Sequence, residues 1–206
     1  MRTLGVFALV VALAAGLISV AGAASTKRYT ITGAGATIDV PSSWEVLDRR
    51  TVTNSAAFKR FIAENPALRP FVAQMTGASS AIKLMAFDLR LTSGFATNVN
   101  VVLSGPTGGL TPTQVATIYG RELKNRLSTI QGPVATSVVT LPAGKAVRAS
   151  YKVRFTNQGR SLIVQTLQYL VLRSDKSLVV TFSTVPSHAA RRKATFTAIA
   201  RSLRFS

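Results

Sequence analysis

Ala146-Val147-Arg148-Ala149-Ser150-Tyr151-Lys152-Val153-Arg154-Phe155 alternates with a period of two, and this alternation decides the fold class. Val147, Ala149, Tyr151, Val153 and Phe155 share one face of an extended strand, while Arg148, Ser150, Lys152 and Arg154 share the other. One face packs and the other is wet. The neighbouring segments Val134 to Leu141, Ser161 to Arg173 and Leu178 to Val185 are equally rich in β-branched and aromatic residues. Pro142-Ala143-Gly144, Asn157-Gln158-Gly159 and Ser174-Asp175-Lys176 punctuate them as turns. Connections this short join strands antiparallel, so residues 134–185 predict a meander.

Working towards the N-terminus, Thr111-Pro112-Thr113-Gln114 combines a Thr N-cap, Pro at the first helical position and Gln at N3, a capping box. Val115, Ile118, Tyr119, Leu123 and Leu127 follow with helical spacing, which predicts a helix over 112–128. Ile82 to Leu91 and Thr97 to Leu103 read as strands, and Ala57, Phe58, Phe61 and Ile62 place a helix over 54–64, followed by a shorter one over 66–75. Tyr29 to Thr32 and Thr37 to Val40, separated by Gly33-Ala34-Gly35, predict an opening hairpin. At the far end, Phe196, Ile199, Ala200 and Leu203 define a closing helix after Pro186-Ser187. No linker, repeat or low-complexity tract interrupts this series. The expected architecture is one α+β domain, an antiparallel β-sheet covered by helices.

The first residues address a compartment. Arg2, an apolar run from Leu4 to Val20 and the small residues Ala21, Gly22, Ala23 and Ala24 form the n-region, h-region and cleavage site of a signal peptide. Cleavage after Ala23 makes residues 1–23 the signal peptide and 24–206 the domain; an uncleaved anchor is the competing reading. The remainder keeps the charge. With 25 Lys plus Arg against 7 Asp plus Glu, the chain of 206 residues carries +18. Its 47% hydrophobic content supports a real core and excludes global disorder. The absence of cysteine excludes disulfides, thiolate metal sites, iron–sulfur clusters and a lipid-modified N-terminal Cys. An exported chain without cysteine fits a bacterial envelope better than a eukaryotic secretory route. The expected location is extracytoplasmic, secreted or associated with the cell envelope.

Val40-Pro41-Ser42-Ser43-Trp44, placed soon after the opening strand pair, resembles the strand, Pro, small residues, Trp signature of PsbP-like domains and of the related LpqN-type actinobacterial lipoproteins. Gln168-Tyr169-Leu170-Val171-Leu172, Leu178-Val179-Val180-Thr181-Phe182 and Ile199-Ala200-Arg201-Ser202-Leu203 resemble the ending of the same group. The resemblance implies a PsbP-like α/β/α sandwich and a protein that binds a partner rather than one that catalyses. It transfers no catalytic residues. This chain departs from the pattern at Ser43, where Gly is frequent, and in lacking a lipobox Cys.

Chemistry-bearing residues are sparse. His188 is the single histidine, and no G-x-S-x-G elbow accompanies it. The acids Asp39, Glu45, Asp48, Glu64, Asp88, Glu122 and Asp175 show no metal-loop spacing, so neither a metal nor a cofactor is expected. Gly33-Ala34-Gly35 lacks the third glycine and the following helix of a dinucleotide site, and Gly144-Lys145 lacks the rest of a phosphate loop.

The abnormal property is charge. Arg148, Lys152 and Arg154, extended by Lys145 and Arg160, make the expected partner-binding patch. Trp44 joins that set as a ring on which a partner could stack, although a lone Trp after a strand more often anchors a core. These features predict a non-enzymatic binding or accessory protein that docks an envelope protein or an anionic polymer, membrane surfaces included. Specific nucleic-acid recognition is not expected, because aromatic residues do not interleave the basic strand face. The alternative is a hydrolase acting on envelope glycans through two carboxylates, with Asp39, Glu45 and Asp48 as the first candidates.

Overall fold

A computed structural model describes residues 25–47, 56–64, 82–157 and 160–206. The expected signal peptide, Asp48 and the helix expected over 66–75 lie outside the described residues.

Strands β6 (Ile130–Leu141), β7 (Gly144–Asn157), β8 (Arg160–Leu172) and β9 (Ser177–Thr184) form the expected meander, paired antiparallel in succession. Beyond β9 the sheet continues through β5 (Asn98–Ser104), β4 (Ile82–Phe87) and β3 (Glu45–Leu47). The resulting seven-stranded sheet has the order β3-β4-β5-β9-β8-β7-β6, with β6 at one edge. A smaller sheet joins β1 (Thr26–Ile31), β2 (Ala36–Pro41) and β10 (Arg204–Phe205), so the last residues of the chain close on its opening hairpin. The hairpin turns at Gly33 and Gly35, whose φ values of 80° and 59° a side chain would resist.

Helix α2 (Pro112–Arg126) carries the chain from the middle of the sheet to the β6 edge. Its capping box forms as expected: the Gln114 N–H donates to Thr111 Oγ1, and the Thr111 N–H donates to Gln114 Oε1 at 2.9 Å. The helix packs Val115 and Ala116 on Val147 and Leu170, and Tyr119 and Leu123 on Ala149, Tyr151 and Val153. This is the apolar face of the β7 alternation. On the same side of the sheet, Ile62 of α1 (Ala56–Glu64) packs against Leu47, Met85 and Phe87.

The opposite face holds the main core. Helix α3 (Pro186–Ser202) inserts Phe196, Ile199 and Ala200 between the two sheets, and Leu203 follows at its end. They meet Val99, Val101, Val180 and Phe182 of the large sheet and Ile31, Ile38 and Val40 of the small one. Phe182 and Phe196 stack with centroids 4.8 Å apart, and Tyr169 meets Phe182 edge-on.

Trp44 belongs to this core, with 5% of its surface exposed. That corrects its assignment to a partner-binding set, since a ring sealed between two sheets presents no face for stacking. The preceding turn closes through a Trp44 N–H to Pro41 carbonyl bond of 2.9 Å. Ser43 keeps a negative φ there, so the turn does not need glycine.

Candidate functional site

Period-two alternation and antiparallel register together build rows of side chains across the α3 side of the sheet. Ser137 pairs with Arg148, and Arg148 with Tyr169. The next row runs Ala135, Ser150, Leu167 and Phe182, and the one after it Lys152, Gln165 and Thr184. Where α3 passes over β8 and β9, the β6–β7 part of these rows stays open. The gap between helix and sheet is a groove of about 420 Å³.

The floor of the groove is apolar, formed by Leu167, Phe196 and the ring of Tyr169, while its walls are polar. Arg148 stands on the sheet side and Lys193 on the helix side. Ser150 receives a hydrogen bond from Gln165 Nε2 at 3.1 Å. The Ser137 hydroxyl lines the same space, buried and without a partner among the described residues. Burial pushes the Tyr169 phenol up, although the Arg148 charge and a hydrogen bond with Thr197 pull the other way. Arg148 and Lys193, by contrast, have no carboxylate partner among the described ion pairs.

One buried carboxylate fixes the helix that roofs the groove. Asp88, 1% exposed at the end of β4, accepts from Arg192 Nη2 of α3 at 2.6 Å. It also accepts from Arg90 Nε and Nη2 at 2.8 Å each and from the Arg90 backbone N–H. Burial alone would push this carboxyl up, but the Arg90 hydrogen bonds and the Arg192 charge outweigh it and hold it below the usual carboxylate range. Nearby, His188 in the first turn of α3 has its Nδ1 3.2 Å from the Thr92 hydroxyl.

The expected patch divides. Arg148, Lys152 and Arg154 share the α3-side face along roughly 20 Å of β7, and only Arg148 enters the groove itself. Lys145 does not belong with them. Its odd position sends it to the α2 side beside Thr140, to whose hydroxyl Nζ donates at 3.0 Å. Arg160 pairs with Asn157 at the start of β8, and its side chain is outside the described residues. Lys193 and Ser137 were absent from the expected set. An i, i+4 alignment of Ala189, Lys193 and Thr197 was present in the sequence, whereas Ser137 becomes visible only once β6 and β7 are in register.

Among the described residues carboxylates do not converge here. Asp39 is taken by Arg28 at 2.7 and 3.1 Å, an interaction that holds its carboxyl below the usual range despite partial burial. Glu122 pairs with Arg126 on α2, and Asp175 with Arg173 and Lys176 in the β8–β9 turn. Neither Asp, Glu nor His is among the groove residues. Among the described residues no cluster of three such side chains could hold a metal ion, and no helix is long and apolar enough to cross a membrane.

A helix-covered antiparallel sheet with this topology is a PsbP-like fold. Among solved structures, the cyanobacterial PsbP (CyanoP) of Synechocystis sp. PCC 6803 matches over 93% of this chain and 99% of its own, with a TM-score of 0.53 and 16% identity. LpqN of Mycobacterium tuberculosis, described as involved in cell envelope biogenesis, matches over 87% and 90%, with a TM-score of 0.50 and 16% identity. The Ran-binding protein Mog1p of Saccharomyces cerevisiae is similar over 88% and 96%, with a TM-score of 0.52 and 10% identity. No family profile and no curated protein sequence matches the chain.

Proposed function

We propose that this chain is an exported, non-enzymatic binding or accessory protein of the bacterial cell envelope, and that the groove beside α3 docks an anionic partner. The observation that carries the reading is the groove itself, in which unpaired Arg148 and Lys193 flank an apolar floor and, among the described residues, no carboxylate or imidazole joins them. Such a site can attract and hold negative charge. Lys152 and Arg154 extend the attraction along the same face. The leader segment supports export, and the likeness to LpqN supports the envelope.

Binding to isolated anionic wall polymer, followed against salt concentration, tests the proposal. Each phosphate neutralised contributes about −0.7 to −0.9 to the log–log slope on nucleic acids, and a polyanionic wall polymer behaves comparably. Charge reversal at Arg148, Lys152 and Arg154 should weaken binding and flatten that slope. Salt-insensitive binding, or none at low salt, would remove the electrostatic basis of the reading.

A further inference from the structure

The groove opens at β6, and β6 differs from the other sheet edges. Strand β3, at the far side of the large sheet, has three residues, and β10 has two. Strand β1 carries Lys27 and Arg28, the charged side chains with which edge strands discourage further pairing. Strand β6 has twelve residues and no charge. Its pairing with β7 is irregular between Gln131 and Ala135, then unbroken from Ala135 to Leu141. Over that stretch alternate residues direct their N–H and C=O groups away from β7, and Val138 is exposed.

We propose, building on the binding role above, that this edge accepts an extended acidic polypeptide segment as an eighth strand, with alternate acidic side chains turned towards the groove. Backbone pairing requires a polypeptide, because a glycan or lipid lacks N–H and C=O groups at a strand's repeat. Charge selects an acidic one. A strand added about 4.8 Å beyond β6 sets its side chains beside Ser137, where the unpartnered hydroxyl and the Arg148 guanidinium can meet a carboxylate. A second copy of this chain would bring two basic faces together, which its +18 charge opposes.

The test uses a fluorescein-labelled octapeptide alternating Glu and Val, and two isomers N-methylated on alternate residues, one set per isomer. In an added strand only one set of N–H groups faces β6. One isomer should therefore lose at least about tenfold in affinity while the other keeps it. Amides between Ala135 and Leu141 should gain protection from hydrogen exchange with the unmodified peptide. Equal affinity of both isomers, combined with loss of binding in Arg148→Glu/Lys193→Glu, would overturn strand addition and leave the groove reading standing. Binding of wall polymer without peptide binding would do the same. Failure of both ligands to bind would bring down both.

Discussion

Replacing Asp88 by Ala isolates what holds α3 over the groove. The carboxylate is 1% exposed and accepts from both Arg90 and Arg192, and its removal strands an Arg192 side chain that is only 18% exposed. Arg192 Nε already lacks a partner, so the variant would hold a buried guanidinium with no counter-charge. Breaking a buried pair from one side costs about 3 to 5 kcal/mol, and we expect the lower figure because Arg90 is largely in solvent. In a chain of this size that is a fall of roughly 10 °C in Tm. Denaturant unfolding followed by the fluorescence of Trp44, the single tryptophan and a core residue, is the assay. Asp88→Ala/Arg192→Met should recover most of the loss, since it removes the stranded charge together with its partner. The folded carboxyl titrates below its ordinary value of 3.8, so this stabilisation is complete above that pH and is lost as pH falls through the lower folded value. A midpoint for Asp88→Ala within about 0.5 kcal/mol of the parent, or a double variant no better than the single one, would refute the clamp.

Thr111→Ala should cost about 1 kcal/mol by denaturant unfolding, because the Gln114 N–H loses its acceptor. Gly120→Ala should destabilise despite the gain of about 1 kcal/mol in helix propensity, since a Cβ would lie 2.9 Å from Thr136 Cγ2; Thr136→Ser, which removes that methyl, should restore the loss. Burial pushes the Tyr119 phenol up from 10.0 to about 12, so ultraviolet titration should find it neutral at pH 11. Stability linked to that group is intact below pH 10 and declines as pH rises towards 12, a decline that Tyr119→Phe should reduce, the remainder coming from Tyr151 and Tyr169, whose phenols burial also pushes up.

The meander is legible because β7 alternates clearly and its neighbours are rich in β-branched and aromatic residues between recognisable turns. Helix α2 was equally plain, its start fixed by the reciprocal bonds of Thr111 and Gln114. Two short strands were not legible. Glu45–Leu47 and Arg204–Phe205 have no pattern long enough to declare themselves, and they exist because β4 and β2 offer edges to pair with. The wet face of β7 is only partly legible: Arg148 faces away from the α2 core as its alternation dictates, but it looks into a groove rather than open solvent because α3 crosses beside it. Lys145 lies close to the patch in sequence but on the other side of the sheet, as its odd position among the even-numbered Arg148, Lys152 and Arg154 dictates. Trp44 shows the converse, a position correctly noticed whose role depends on the second sheet folding over it.

Strand β10 ties together two stretches that lie far apart in the sequence. Arg204 and Phe205 pair with Thr37 and Ala36, and the Ser206 N–H reaches the Gly35 carbonyl at 2.9 Å. The opening hairpin is therefore knitted to residues that follow it by 171 positions. Until α3 docks, Ile31, Ile38 and Val40 have no helix to cover them. A partly folded chain without α3 in place exposes that sticky surface, which makes a holding chaperone a natural companion of its biogenesis.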